Sequence, residues 1–434
     1  MHWTRRVGLL CLGLLLLNLA ENGLAQDEVI QTGSSGVVYL DDVSGSMSLS
    51  NDGGTYLLFH KVVGDGVGFD TGYSRIGLRA KIWEDYDRHV FGEIHTLITD
   101  SSRVGFNVGG GFRKEWHEGL WGIHGWYDNY ESRSGFRYQQ LSFGSEYLHP
   151  VFDLRTNVYY PIGEDDNFIS IVDFGDTPRF LQRTIGTDGI GQFERAYKGI
   201  DVEGGTPFPY ADWLRMYAGT YFLNAKGNDV WGVRGRAEAR VSRDINVNFL
   251  VSDDDTWGTN VNLDLEVRFS GQTPTRFDCN YCNLARRYDQ VRRNWSIQTH
   301  RDLDDIFIPL NNPRTGEEYD IVWVDNTAGA GGDGSFENPF DMLPGVADGS
   351  DLILVRRGIG DTTGRITLQP YQQILGEGKT HMIDTDRLGL ITLPEPFRQT
   401  GPLPTLVGDG TLNPVITIAN NSVVRGFNFD AANA

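Results

Sequence analysis

Two cysteines, a hydroxyl-rich acidic motif, scattered aspartates and an arginine cluster are the residues whose types and spacing could do chemistry. Cys279-Asn-Tyr-Cys282 leaves several readings open. A local disulfide is favoured, because an exported chain meets an oxidising compartment. Zinc would need further thiol or imidazole ligands, and no second cysteine pair exists. Redox catalysis would want the motif to open a helix in a different fold, and unpaired thiols complete the alternatives. Asp42-Val-Ser44-Gly-Ser46 could set a carboxylate and hydroxyls around Mg²⁺ in a water-rich octahedron. That chemistry requires an amphipathic helix and a parallel α/β pattern next. Asn51-Asp-Gly-Gly54 instead introduces alternating strands, so the segment reads as a Ser/Gly/Asp-rich leader. Asp333, Asp348, Asp351 and Asp361 stand in turns or strand entries and read as turn formers. Asp253-Asp-Asp255 reads as a solvated loop rather than a divalent-cation site. No catalytic residue, cofactor site or metal ligand is assigned, and the chain is read as a non-enzyme.

The elements that must position these residues are strands. From Thr55 onward, runs of about ten residues alternate and are divided by Gly, Asp, Asn and Ser turns, the spacing of transmembrane strands. In the last run Val261, Leu263, Leu265, Val267 and Phe269 share one face. Asn260, Asn262, Asp264, Glu266 and Arg268 share the other, because strand side chains alternate with period two. The first set is expected to face lipid and the second the lumen. The same opposition of apolar and charged faces recurs in 75–83, 151–160 and 230–241. A soluble antiparallel sheet also alternates, but an outward apolar band, a charged lumen and aromatic girdles account for the ionised faces and for the aromatics at strand ends. About twelve strands are expected, near 55–61, 75–83, 89–98, 103–112, 120–128, 136–147, 151–160, 194–202, 213–222, 230–241, 245–252 and 259–269. The stretch 161–193 is expected to be a long outer loop.

The ends and the composition agree with export. Arg5-Arg6, the apolar Val7–Leu17 and Gly23-Leu-Ala25 follow the order of a signal peptide cleaved after Ala25. The apolar run falls short of the roughly 18 residues a spanning helix needs, and Cys11 lies inside it rather than at the cleavage point, against a lipid anchor. With 58 Asp+Glu against 38 Lys+Arg, the chain is a poor partner for nucleic acid or anionic membrane surfaces.

Trp121-Gly-Ile-His-Gly-Trp-Tyr-Asp128, Arg137, Gly144-Ser-Glu146, Asn157-Val-Tyr-Tyr-Pro161 and Gly199-Ile-Asp-Val-Glu-Gly-Gly-Thr-Pro-Phe-Pro209 occur in that order. Over about residues 55 to 300 the chain resembles the inverse autotransporter barrel of intimin and invasin. The resemblance implies a twelve-stranded barrel inserted by the outer-membrane assembly machinery with periplasmic chaperones, and a C-terminal passenger exported through it. It also implies that Phe269 closes the barrel as an aromatic insertion signal. The leader is too short for the peptidoglycan-binding module of many relatives, and the C-terminal segment does not read as their immunoglobulin-like string.

An even-stranded barrel leaves its chain in the periplasm after the last strand, so a surface passenger must thread back through the pore. Cys282–Asn294 is expected to form a short helix whose Arg286, Arg287, Arg292 and Arg293 suit a lumen of Asp and Glu, as a pore plug. A solvated periplasmic helix is the alternative. Past Tyr319 the texture changes to short apolar strands, such as Asp351-Leu-Ile-Leu-Val355 and Gln373-Ile-Leu-Gly376, closed by glycine or Asn-Asn turns. This segment resembles the start of a right-handed parallel β-helix of the pectate-lyase-like class, either very short or cut off at Ala434.

The expected organisation is therefore signal peptide 1–25, leader 26–54, barrel 55–270, linker and plug 271–318, and passenger 319–434. The fold is all-β, a transmembrane antiparallel barrel followed by a partial parallel β-helix. The expected function is an outer-membrane translocator and anchor that displays its passenger on the cell surface for adhesion to an extracellular ligand. The rivals are a porin-like barrel with a periplasmic tail and an anchored surface polysaccharide lyase.

Overall fold

The computed structural model describes residues 54–242, 244–269, 286–347, 349–408 and 413–430. The first strands are β1 (Tyr56–Gly64), β2 (Tyr73–Glu84), β3 (Arg88–Thr99), β4 (Val104–Trp116), β5 (Gly119–Glu131), β6 (Arg137–Leu148) and β7 (Asp153–Ile162). The chain then makes β8 (Asp166–Leu181) and β9 (Thr184–Ala196), followed by β10 (Lys198–Phe208) and β11 (Ala211–Ala225). It continues with β12 (Asn228–Arg240), β13 (Ile245–Asp254), β14 (Gly258–Phe269) and β15 (Thr299–Pro309).

β1–β7 and β10–β14 form a closed antiparallel barrel of twelve strands. Closure is made by β1 on β14, in register from Leu57 opposite Phe269 to Gly64 opposite Asn262. A closed barrel leaves no strand edge unpaired, the condition for crossing hydrocarbon with strands. Alternation then decides the faces. Leu263 and Val261 are about half exposed on the outside, whereas Glu266 between the same strands is fully buried. An apolar exterior around an ionised interior is the reverse of a soluble sheet's economy and matches a lipid-facing band.

The chain divides into two compact units, one holding residues to Gly163 and Tyr197–Gln298, the other Glu164–Ala196 and Thr299 onward. The boundary corrects two expectations. Residues 161–193 are not an irregular loop, because β8 and β9 form a long hairpin there. The expected strand 194–202 is split, with Glu194–Ala196 in β9 and the barrel strand starting only at Lys198.

In the second unit, β8, β9 and β15 make a three-stranded antiparallel sheet. Beyond it the strands Ile321–Val324, Leu352–Val355, Gln373–Gly376 and Val423–Arg425 pair in parallel as one sheet. A second parallel sheet joins Asp361–Thr363, Thr405–Val407 and Asn428–Asp430. The first two strands of the first sheet are buried on both faces, while Val423–Arg425 is exposed. Ile321, Trp323, Leu352 and Leu354 enter one apolar cluster, and Val322, Val324, Ile353 and Val355 enter another. That is why these strands read as unbroken apolar runs rather than as alternations.

Candidate functional site: the threaded lumen

The barrel interior is a net of ion pairs built from alternate residues of neighbouring strands. Arg79 donates to Glu93 at 2.9 Å, and both side chains are shut off from solvent. Arg113 donates to Glu146 at 2.7 Å, Arg236 pairs with Glu203 and Glu238, and Arg268 donates to Glu266 at 2.9 Å. Asp201 accepts from Asn157, Tyr159 and Arg234. Taking charges from water costs several kcal/mol each, so such groups persist only where each finds partners.

Asn260, Asn262, Asp264, Glu266 and Arg268 of β14 all turn inward, while Val261, Leu263, Leu265 and Phe269 lie exposed outside and Val267 is half-buried. Asp264 meets His60 at 2.5 Å, and Asn262 donates to the Asp65 carbonyl.

Through this interior runs the segment Arg286–Gln298. At one end, Arg286 grips both carboxylate oxygens of Asp153 at 2.6 and 2.7 Å and donates to the His149 carbonyl, at the β6–β7 turn. Arg287 pairs with Glu84 and Glu115 at 3.1 and 2.8 Å and donates to the carbonyls of Asp85 and Tyr86, at the β2–β3 turn. Further along, Asp289 accepts from Arg240 and Arg268, and its backbone carbonyl accepts from Arg79 and Arg113. Gln290 accepts from Arg75 at 3.0 Å. Arg292 reaches Glu266 at 2.9 Å and Glu238 at 3.4 Å, while Arg293 clamps both oxygens of Asp128. Trp295 stacks under the Arg75 guanidinium, 3.7 Å from its ring centre. At the far end, the Gln298 carbonyl accepts from the Tyr197 amide at 3.0 Å, where β10 begins. Gly68, at the β1–β2 connection on that same end, has φ +77, and a Cβ there would lie 2.5 Å from the Gln298 Cα.

The segment therefore traverses the barrel from the end with the short β2–β3 and β6–β7 turns to the end where β7 and β10 open into the β8–β9 hairpin. Asp289–Gln298, ten residues long, spans about 30 Å when extended at roughly 3.3 Å per residue, the thickness of a hydrocarbon core. The expected helix is corrected for this stretch. Arg286 is helical, Arg287 and Tyr288 complete a turn, and Asp289–Gln298 has no regular element, with bends at Arg293 and Ser296; 282–285 lie outside the described residues. A non-helical path suits the ion pairs, since the arginines address different strands of the wall and a helix would bundle them on adjacent faces. A cavity of about 120 Å³ remains beside Arg292, lined among others by His60, Arg155, Arg234 and Asp264.

Sequence reasoning placed Arg286, Arg287, Arg292 and Arg293 together but not their partners. Beside Glu266, whose inward face the alternation of β14 gives, Asp153, Glu84, Glu115, Asp128 and Glu238 carry the other half of the site. Their only sequence signal is their place on the polar face of an alternating run. Cys279 and Cys282, the signal peptide and the Asp42-x-Ser-x-Ser motif lie outside the described residues, as does Asp348. Asp333 accepts from the Ser335 amide, as turn-forming carboxylates do, whereas Asp351 accepts from the Asn312 side chain, 39 residues away. Among the described residues no group of three or more His, Cys, Asp or Glu is placed to hold a metal ion.

The closed barrel with an apolar outer band defines the class, an outer-membrane β-barrel. Within that class, residues 70–225 match the family model described as the inverse autotransporter β-domain, which reaches from the chain just before β2 to the end of β11. No curated protein matches this chain. Among solved structures, the chain is similar to one from a study of in-meso crystallization of membrane proteins, at 16% identity and TM-score 0.43, covering 57% of this chain and 100% of the other. It is also similar to the KdgM porin in complex with disordered oligogalacturonate, at 7% identity and TM-score 0.31, covering 49% of this chain and 99% of that porin. An outer-membrane channel from Pseudomonas putida F1 is similar at 11% identity and TM-score 0.32, covering 54% of this chain and 100% of the channel.

Proposed function

We propose that the barrel is a translocator that passes residues 299 onward to the cell surface and then keeps Arg286–Gln298 in its lumen as both anchor and plug. The observation that carries this reading is the direction of the threaded segment. It enters beside the short turns, which in bacterial barrels face the periplasm, and leaves where the long connection lies, which in such barrels is extracellular. Each arginine of the segment meets a carboxylate of the wall, so the parked state is specific rather than a chain caught in transit. The match to the inverse autotransporter β-domain supports the same assignment.

The parallel strands after Ile321 are read as the first coils of a right-handed β-helix. Stacks of this kind become stable by adding units of the same form. Adhesion to an extracellular ligand is the proposed use of the displayed segment. A barrel filled by its own chain does not favour the porin reading.

An epitope tag after Ala434 and protease treatment of intact cells test the export. The expected result is loss of the tag with a protected barrel core. A tag that stays protected until the outer membrane is permeabilised would return the tail to the periplasm and overturn the translocator.

A further inference from the structure

The β8–β9 hairpin is inserted in sequence between two barrel strands, yet it forms one compact unit with the segment that follows the threaded lumen. β15 adds to β9 in unbroken register, from Thr299 opposite Ala196 to Pro309 opposite Gly186. β9 is built to receive it. A Cβ at Gly186 would stand 2.4 Å from the Ile308 carbonyl oxygen, and one at Gly189 would stand 2.4 Å from the Ile308 Cδ1.

The hairpin tip engages the start of the parallel stack. The Gln182 amide donates to the Glu337 carboxylate and its carbonyl accepts from the Phe336 amide. The Arg183 carbonyl accepts from the Ile321 amide at 2.6 Å, and the Arg183 side chain pairs with Asp320 at 2.8 Å. Gln182 holds φ +52, a left-handed conformation uncommon for a residue with a side chain. Below the tip, Phe180 and Ile185 are buried in the cluster of Leu310, Ile321, Trp323 and Leu352, with the Phe180 ring 4.6 Å from that of Trp323. Ile321–Val324 is the edge strand of its sheet, and an edge strand exposes unpaired backbone unless something covers it. Here the hairpin's Arg183 covers the edge where the strand begins, at Ile321, and Gly334 and Phe340 cover it from Trp323 onward.

We infer that the β8–β9 hairpin is an intramolecular folding template for the exported segment, an inference that rests on the translocator reading. A segment leaving the lumen at Gln298 adds β15 to β9, then condenses Leu310–Val324 onto Phe180 and Ile185, and later strands stack on an edge already formed. Parallel pairing is slow to start because its contacts are distant in sequence. A preformed strand edge and two core side chains at the exit remove much of that delay.

The test uses the full chain with a C-terminal tag, pulse-labelled in cells, and follows the appearance of protease-resistant passenger at the surface. Ile185→Asp is expected to leave the barrel heat-modifiable on gels but to slow passenger folding about tenfold or more, as a lesion in a nucleus does. Ile185→Val is expected to restore the wild-type rate. In a Cys279→Ser, Cys282→Ser background, a Gln192→Cys, Leu303→Cys pair is expected to cross-link before the passenger gains resistance. Wild-type kinetics in Ile185→Asp, with or without a less resistant end state, would reduce the hairpin to a cap and overturn the template, as would a cross-link that lags behind resistance. A tag that never reaches the surface in the wild type would overturn the export reading itself, and the template with it.

Discussion

Arg293 meets Asp128 through both terminal nitrogens at a point where neither group touches water. Removing one partner strands the other as an uncompensated buried charge, a loss of about 3–5 kcal/mol. Arg293→Ala is therefore expected to lower the temperature at which the barrel loses its folded gel mobility. The double variant Arg293→Leu, Asp128→Leu is expected to recover most of the loss, since a neutral pair leaves nothing unpaired. Equal losses in the single and double variants would mean the pair carries no specific weight. In the second unit, the His381 Nε2–H donates to the Gly376 carbonyl at 2.8 Å, while Nδ1 is buried without a partner. Burial holds its pKa below the ordinary imidazole value. A group depressed in the folded state contributes its full stability above the unfolded value of about 6.5 and loses it as pH falls. Resistance to denaturant, read from Trp323 and its aromatic neighbours, is expected to decline between about pH 7 and 5 and to flatten in His381→Gln. At this scale the wall was legible in the sequence, for Glu266 and Arg268 declare their face by alternation. The pairing was not, because Arg286 and Asp153 are 133 residues apart and no local pattern links them.

Elements differ in how openly they state themselves. β14 alternates without a fault, and its faces follow directly from that. The β8–β9 hairpin reads as a loop because β8 shifts register against β9 at three places, between Phe168 and Ser170, Ile171 and Asp173, and Phe174 and Pro178. Each bulge reverses the alternation that would announce a strand. The threaded segment misleads in the opposite direction. Its residues suit a helix by intrinsic preference, but its four arginines meet carboxylates on different strands of the wall, which a helix could not reach together. A glycine of β9 makes a prediction at this scale. Gly189→Val would drive its side chain into Ile308 and is expected to displace β15 while leaving the barrel assembled. Protease sites in 299–310 would then become accessible, and resistance equal to the wild type would contradict the packing of β15 on β9.

For the molecule as a whole, the barrel strands cross the membrane, residues 286–298 run through the lumen they enclose, and strands from Ile321 onward pair in parallel in the second unit. The central claim is that the lumen is occupied by the chain's own export linker. Single-channel conductance in planar bilayers tests it most directly, comparing the full chain with one ended after residue 285. The expected result is a nearly silent full-length protein and a steady open channel from the shortened one. Equal conductance from the two would mean that the linker does not seal the lumen, and the account of the barrel as a parked translocator would be contradicted.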